Sequence, residues 1–281
     1  MTWIRCTYNK RCPICEKPDW CCRTEDGAVM CMRAMACDGY DAIKQTPDGG
    51  TIFRPTGSSN SPFIPRVADP VKEATIDWGP IVDGFSLRNT ERRAGEWLED
   101  KLGIPLIFLE MFGLGWSEGH KSFTFPMYDH ERNITGVRLR HVDGSKKSIR
   151  GSKEGVFLPP FDFEDPILVT EGPTDAAALT YAGFATLGRP SCMGGVEIVA
   201  KMAHRRDIVV VSDKDSPGRR GADALARRLI VAGAKTIKVI EPTGLATDAR
   251  DWVNKGATHE VIEMVIESAH DVRVTRSASG S

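Results

Sequence analysis

Two short aliphatic runs, each ending in carboxylates, constrain the fold of this chain more than any other feature. The first run is Ile167–Thr170, and Glu171 follows it directly. The second run covers residues 207–212, and Asp213 and Asp215 follow it. Aliphatic and β-branched runs of this length, bounded by turn residues, predict buried β-strands.

Each predicted strand is followed by a helical pattern, with Thr174 as the expected cap of the first helix and Asp175 in its first turn. The same alternation continues to residue 270 and predicts βα units around a mostly parallel sheet. Because ligands bind at the carboxyl ends of such strands, Glu171, Asp213 and Asp215 are expected to converge with Asp175 at one edge. A lone Glu171 would more simply be a solvated loop residue.

Carboxylates that close together cannot all stay ionised without a positive partner. Hard oxygen ligands favour Mg²⁺ or Mn²⁺, so the sequence predicts a metal site made by Glu171, Asp213 and Asp215. Asp248 and Asp251 follow the last predicted strand and are two further possible ligands.

The chain has no apolar run of about 18 residues and its amino terminus lacks a signal-peptide pattern, so we expect a cytoplasmic protein without a membrane partner. Seven of its eight cysteines lie in the first 37 residues. Disulfides are disfavoured in a reducing compartment, so this clustering indicates metal binding.

The spacing of Cys12 and Cys15, with Cys31 after fifteen intervening residues, is typical of a zinc ribbon. Asp26-Gly27 predicts a hairpin that places Cys31 on its second strand and Cys21 and Cys22 on its first. Cys21 is the preferred fourth ligand, with Cys22 and Cys37 as alternatives. Zinc is expected to supply much of the folding free energy of residues 1–54.

Four prolines between residues 55 and 70 predict a linker, which we extend over 55–85. Two helices and two antiparallel strands are then expected within residues 86–164. Six Lys or Arg lie between residues 138 and 153 against one acid. These basic residues are expected to form either a phosphate-binding face or a solvated hairpin rim. The net charge of −1 for the whole chain excludes neither interpretation. The six are Arg138, Arg140, Lys146, Lys147, Arg150 and Lys153.

Glu171-Gly-Pro-Thr-Asp175 and Asp213-Lys-Asp215 resemble the acidic motifs of the TOPRIM domain. With the zinc ribbon and the basic region, nearly all of residues 10–265 resembles the primase part of a DnaG-type or phage primase. The stretches 125–140 and 147–157 are similar to primase segments as well. Thr247 stands where that family usually has Lys before its last acidic motif, and Arg150 stands where it usually has Asn.

The resemblance implies a multidomain α/β protein. Its parts would be a zinc ribbon over 1–54, a basic α+β subdomain over 86–164, a TOPRIM catalytic domain over 165–270 and a disordered tail over 271–281. It implies metal-dependent synthesis of short RNA primers from NTPs on single-stranded DNA, in a phage or mobile-element setting. A replicative helicase would act in trans or on a missing carboxyl-terminal part, since the chain has no Walker A loop.

The resemblance also implies roles for residues. Glu171 would be a general base or a metal ligand, and Trp20 or Tyr40 would stack on template bases. Nucleic acid or nucleotide would be bound by Arg138, Arg140, Lys147, Arg150, Lys153 and Lys214. Two alternatives are a metal-dependent TOPRIM nuclease and a non-catalytic zinc and TOPRIM recombination mediator.

Overall fold

The computed structural model describes residues 2–18, 20–34, 36–46, 50–57, 76–87 and 92–272. The chain divides into two compact units, Met1–Glu73 and Ala74–Ser281. Most of the predicted linker and nearly all of the predicted tail lie outside the described residues. Within the described part, no helix has the length and hydropathy needed to cross a membrane.

The first unit contains one antiparallel sheet of five short strands in the order β1-β2-β3-β5-β4. The predicted hairpin is confirmed, because β2 pairs with β3 and Gly27 takes a positive φ in the turn between them. Phe53 and the buried cysteines form its small core. The strands are β1 (Ile4–Arg5), β2 (Cys22–Arg23), β3 (Val29–Cys31), β4 (Tyr40–Gln45) and β5 (Thr51–Pro55).

The second unit begins with three helices followed by an antiparallel sheet in the order β6-β7-β8-β9. The helices are α1 (Trp78–Gly84), α2 (Arg92–Leu102) and α3 (Leu106–Met111). The strands are β6 (Gly115–Ser117), β7 (Ser122–Tyr128), β8 (Ile134–His141) and β9 (Lys146–Ser148). Helix α1 falls inside the predicted linker, where it buries Trp78 and packs against β8.

The rest of the second unit is the predicted βα alternation around a parallel sheet of order β11-β10-β12-β13. Strands β10 and β12 are neighbours, as predicted, with Val169 opposite Val210. The elements are β10 (Ile167–Thr170), α4 (Pro173–Tyr181), β11 (Thr186–Gly188), α5 (Val196–Met202), β12 (Asp207–Val211), α6 (Ser216–Ala232), β13 (Thr236–Ile240), α7 (Ala249–Asn254) and α8 (His259–Ser268).

Both faces of the parallel sheet are buried, which explains why its strands are aliphatic throughout. Leu168 and Val209 face a core that includes Trp252 of α7. The alternate residues Val169 and Ile208 face the core beneath α5 and α6. Truncating one such buried aliphatic side chain to Ala would cost about 2–5 kcal/mol.

The start of α4 differs from the sequence prediction. Thr174 does not cap the helix, because α4 begins at Pro173, two residues earlier than predicted, and Gly172 is the N-cap residue without a side-chain cap. Proline at this position needs no capping partner, since it has no N–H. Gly172 takes a φ of 149°, which a residue with a side chain rarely adopts. The glycine and proline therefore set the tight turn that presents Glu171.

Candidate functional site

Four cysteines of the first unit meet at one point. The sulfurs of Cys12, Cys15, Cys21 and Cys31 all lie within 4.8 Å of one another. The Sγ atoms of Cys15 and Cys21 are 3.7 Å apart, and those of Cys21 and Cys31 are 3.8 Å apart. A tetrahedral zinc with Zn–S bonds of about 2.3 Å places its sulfurs about 3.8 Å apart, so the cluster fits a structural zinc.

Local structure explains which cysteines join the cluster. Cys31 lies on β3, Cys21 directly precedes β2, and the backbone N–H of Met32 donates to the Cys21 sulfur at 3.5 Å. Cys22 lies outside the cluster, and the Cys37 thiol donates instead to the backbone oxygen of its neighbour, Asp38. The structure thus places Cys21, the preferred fourth ligand, with the other three.

In the second unit, carboxylates from three loops line a main cleft of about 440 Å³. Glu171 follows β10, Asp213 follows β12, Asp175 lies in the first turn of α4, and Asp248 precedes α7. The same cleft is lined by basic residues of β8 and β9, Arg138, Arg140 and Lys146, which form its basic wall. The main cleft therefore has an acidic wall and a basic wall.

The acidic wall places partly buried carboxylates close to one another. Burial raises the pKa of Asp213 to about 8, and the charges of Asp175, Glu171 and Asp248 add to this effect. Burial also raises the pKa of Glu171, although Arg189 opposes that shift. Such carboxylates would be stabilised as anions by a bound cation.

The geometry limits how a cation would be held. Within the described part of the chain, the cysteine cluster is the only place where three or more potential metal ligands converge closely. The acidic wall thus offers a cation fewer than three adjacent carboxylates. Magnesium commonly binds in this way, through one or two carboxylates together with water and substrate phosphates. The donor set is compatible with such an ion.

Three other predicted residues make structural contacts within the protein, although the charge of Asp215 also acts on Glu171 and Asp213. Asp215 is the N-cap of α6 and accepts a hydrogen bond from the Gly218 N–H at 2.6 Å. Asp251 accepts from the Thr247 N–H and pairs with Lys255 at 2.7 Å. Lys214 donates to a backbone oxygen of the loop before α7. None of the three lines the main cleft.

Strand register decides which basic residues face the acids. Arg140 lies opposite Lys146, and Leu139 lies opposite Lys147. Since opposite residues of an antiparallel pair share a face, Lys146 joins Arg140 and Lys147 lies on the other face. Lys147 therefore does not line the main cleft, and neither do the exposed Arg150 and Lys153.

The arginines of the basic wall are poorly solvated. Arg138 donates to the Pro190 oxygen at 3.0 Å, and burial lowers the pKa of its guanidinium. Burial also lowers the pKa of Arg140, with repulsion from Arg250 as a further cause. An anion in the main cleft would stabilise both cations.

Sequence reasoning did not identify Arg189 and Arg250, and it placed Lys146 in the basic run without assigning it a binding role. Arg189 directly follows β11 and is only 2% exposed, and it donates to the backbone oxygens of Gly194 and Cys192. Its position after a parallel strand obeys the rule that located Glu171, so it could have been found. Lys146 required the register of β9, which no local pattern reveals.

No protein-family model matches the sequence, and no curated protein matches it significantly. Similar folds exist among solved structures. A DnaG primase catalytic domain bound to single-stranded DNA has a TM-score of 0.55 at 12% identity, over 68% of this chain and 77% of that one. The Escherichia coli primase catalytic core has a TM-score of 0.53 at 13% identity, over 68% of this chain and 79% of that one.

A third structure contains the zinc-binding and RNA polymerase domains of the Aquifex aeolicus primase. It has a TM-score of 0.53 at 17% identity, over 69% of this chain and 60% of that one. At these identities the comparisons establish the fold alone. The chain has the mixed α/β fold of DnaG primase catalytic cores.

Proposed function

We propose that this protein is a DNA primase that synthesises short RNA primers on a single-stranded DNA template. The observation that supports this most directly is the main cleft, where an acidic wall from the parallel sheet faces a basic wall from the antiparallel sheet. Nucleotidyl transfer needs both, because a cation and fixed positive charges must together bind a triphosphate. The DnaG fold of the chain, and a DnaG domain of the same fold that holds single-stranded DNA, support the same proposal.

The proposed layout assigns one task to each part of the chain. Residues 1–54 would be a zinc ribbon that contacts the template, residues 86–164 a basic subdomain, and residues 165–270 a TOPRIM catalytic domain. The four-sulfur cluster supports zinc in the first part. The parallel sheet, with acids at its carboxyl edge, supports the assignment of the last. A replicative helicase would be a partner in the cell.

A bound Mg²⁺ or Mn²⁺ would offset the charge of the triphosphate and help to deprotonate the attacking 3′-hydroxyl. Asp213 and Glu171 would hold this ion, with Asp215 as a further ligand once it leaves its capping contact. Arg138, Arg140 and Lys146 would bind the triphosphate, because guanidinium groups make bidentate contacts to phosphate oxygens. Alternatively, Glu171 would act as general base, since burial raises the pKa of its carboxyl group and makes it a better proton acceptor.

Primer synthesis on single-stranded DNA tests this proposal. The protein is incubated with template, labelled NTPs and Mg²⁺ or Mn²⁺, and short RNA is resolved on a gel. Asp213→Asn is expected to lower the yield by at least about 100-fold, since it removes the carboxylate that holds the metal. Asp223→Asn is the matched control, because Asp223 is exposed on α6 and lines neither wall.

The same incubation separates the alternatives. Cleavage of the template without RNA synthesis would identify a metal-dependent nuclease. Template binding with neither product, on several templates and with both metals, would favour a non-catalytic mediator.

A further inference from the structure

A second cavity, here called the side cleft, adjoins the main cleft. It has a volume of about 400 Å³ and is lined by residues from α2, β8 and α7 together with the loop before α7. Arg140, Asp248 and Arg250 line both cavities, so the two adjoin at these side chains. Lys101 and Asn254 line the side cleft alone.

The floor of the side cleft is a close contact between α2 and α7. The Asn254 side chain donates to the Leu102 backbone oxygen at 2.7 Å. Gly103 follows with a φ of 69°, and a Cβ at that position would collide with the Asn254 amide. The contact fixes the end of α2, and with it Lys101, relative to α7, the helix that contains Arg250.

The carboxylates of the side cleft are already engaged within the protein. Asp248 accepts the Asp251 N–H at 2.6 Å through one oxygen and Arg250 at 3.1 Å through the other. Asp251 accepts the Thr247 N–H and pairs with Lys255. Their negative charge is therefore partly neutralised before any ligand arrives.

The cations are less well satisfied. Among the described residues the half-buried Arg140 guanidinium has no hydrogen-bonding partner, and it is repelled by Arg250 and attracted by the charges of Asp175 and Asp248. Lys101 is exposed, donates to the Val142 oxygen at 2.8 Å and lies over the Trp97 ring. An ammonium group has three donors, so two donors remain for a ligand. A guanidinium that is removed from bulk water and unpaired favours an anionic ligand.

We propose that the side cleft is a second phosphate-binding subsite, in which Lys101, Arg140 and Arg250 hold a phosphoryl group. Asp248 is the positioning residue that holds Arg250 at the junction of the two clefts. The phosphoryl group belongs to the phosphodiester backbone of a nucleic-acid strand or to the triphosphate of a nucleotide. The inference rests on the proposed function in taking these two ligands as the candidates.

Fluorescence anisotropy with the full chain tests the subsite without any need for primer synthesis. The probes are a labelled oligothymidylate, titrated over a series of salt concentrations, and a fluorescent ribonucleoside triphosphate. Lys101→Gln and Arg250→Gln each remove one charge from the side cleft. Arg227→Gln removes one from an exposed position on α6 that lines neither cleft and serves as the control.

Both variants are expected to bind one of the two probes about tenfold more weakly than the control does. This is the effect expected from the loss of a charged hydrogen bond. If the ligand is the nucleic-acid strand, the affinity for the oligothymidylate falls. The slope of log K against log salt concentration then becomes shallower by about 0.7 for each charge removed. If the ligand is the triphosphate, only the affinity for the nucleotide falls. Lys101→Arg is expected to keep the affinity of the wild-type protein.

The proposal is overturned if Lys101→Gln and Arg250→Gln bind both probes as tightly as the control variant does. It is also overturned if Lys101→Arg loses as much affinity as Lys101→Gln. Failure of the proposed function looks different. In that case the wild-type protein makes no RNA while the difference between the variants and the control in binding remains.

Discussion

Gly188 at the end of β11 lies directly against the backbone of Gly172, the residue after Glu171. A Cβ on Gly188 would overlap the Gly172 carbonyl group, which belongs to the main chain and cannot rotate away. This contact sets the distance between the loop that contains Glu171 and the strand that leads into Arg189.

Gly188→Ala is therefore expected to lower the free energy of unfolding by about 1–3 kcal/mol, the usual cost of overpacking. Primer synthesis should fall further than stability alone explains, because Glu171 moves with Gly172. Urea denaturation measures the first effect and the primer assay the second. Gly119→Ala is the control, since a Cβ there meets nothing within 4 Å, and equal stability of the two variants would refute the prediction.

Removal of zinc is expected to unfold the first unit, because its core consists largely of the cysteines themselves. The purified protein should contain about one zinc per chain by elemental analysis. Cys21→Ser should lose most of that zinc and become sensitive to protease within the first unit. Cys37→Ser should keep it, since the Cys37 thiol lies outside the cluster, and zinc loss in this control would contradict the assignment of Cys21.

Substitutions of Asp248 should separate its two structural contacts. Asp248→Ala removes the N-cap of α7 and is expected to cost about 1 kcal/mol of unfolding free energy. Asp248→Asn keeps a good capping side chain, so it should cost less than half of that. Both variants lose the carboxylate that holds Arg250, so both should weaken binding in the anisotropy assay. If thermal unfolding shows that Asp248→Asn is as destabilised as Asp248→Ala, the capping role is contradicted.

Asp207, at the amino end of β12, predicts a pH dependence of stability. Hydrogen bonds from Lys235 and Thr236 hold the pKa of this carboxyl below its usual range. A pKa lowered by folding stabilises the protein above the unfolded-state value, about 3.9, and this stabilisation is lost as the pH falls through the folded-state pKa. The wild-type protein should therefore be more stable than Asp207→Asn at pH 7, and the difference should shrink below about pH 4. Urea denaturation at both pH values measures this difference in unfolding free energy. If the difference is the same at both pH values, Asp207 does not contribute to the pH dependence.

Local patterns were sufficient for much of the fold. The aliphatic runs of β10 and β12 and the turn at Asp26-Gly27 were predicted and are confirmed. Each depends on neighbours in sequence, through side-chain periodicity or a backbone angle that favours glycine. The predicted adjacency of β10 and β12 is confirmed as well, although β11 lies between them in sequence.

Other features depend on contacts between distant residues. Helix α1 was interpreted as part of the linker because a proline-rich stretch precedes it. The helix is short and apolar, and it packs against β8. Lys147 was grouped with the arginines, yet the one-residue register of β9 against β8 selects Lys146.

The sequence by itself determined the order of the strands and helices, the positions of the acids after β10 and β12, and the cysteines able to bind zinc, because those depend on local spacing. Only the tertiary structure decided which charged residues share a cleft. That choice depends on strand register, helix capping and the packing of α2 against α7, where one residue of shift moves a side chain to the opposite face.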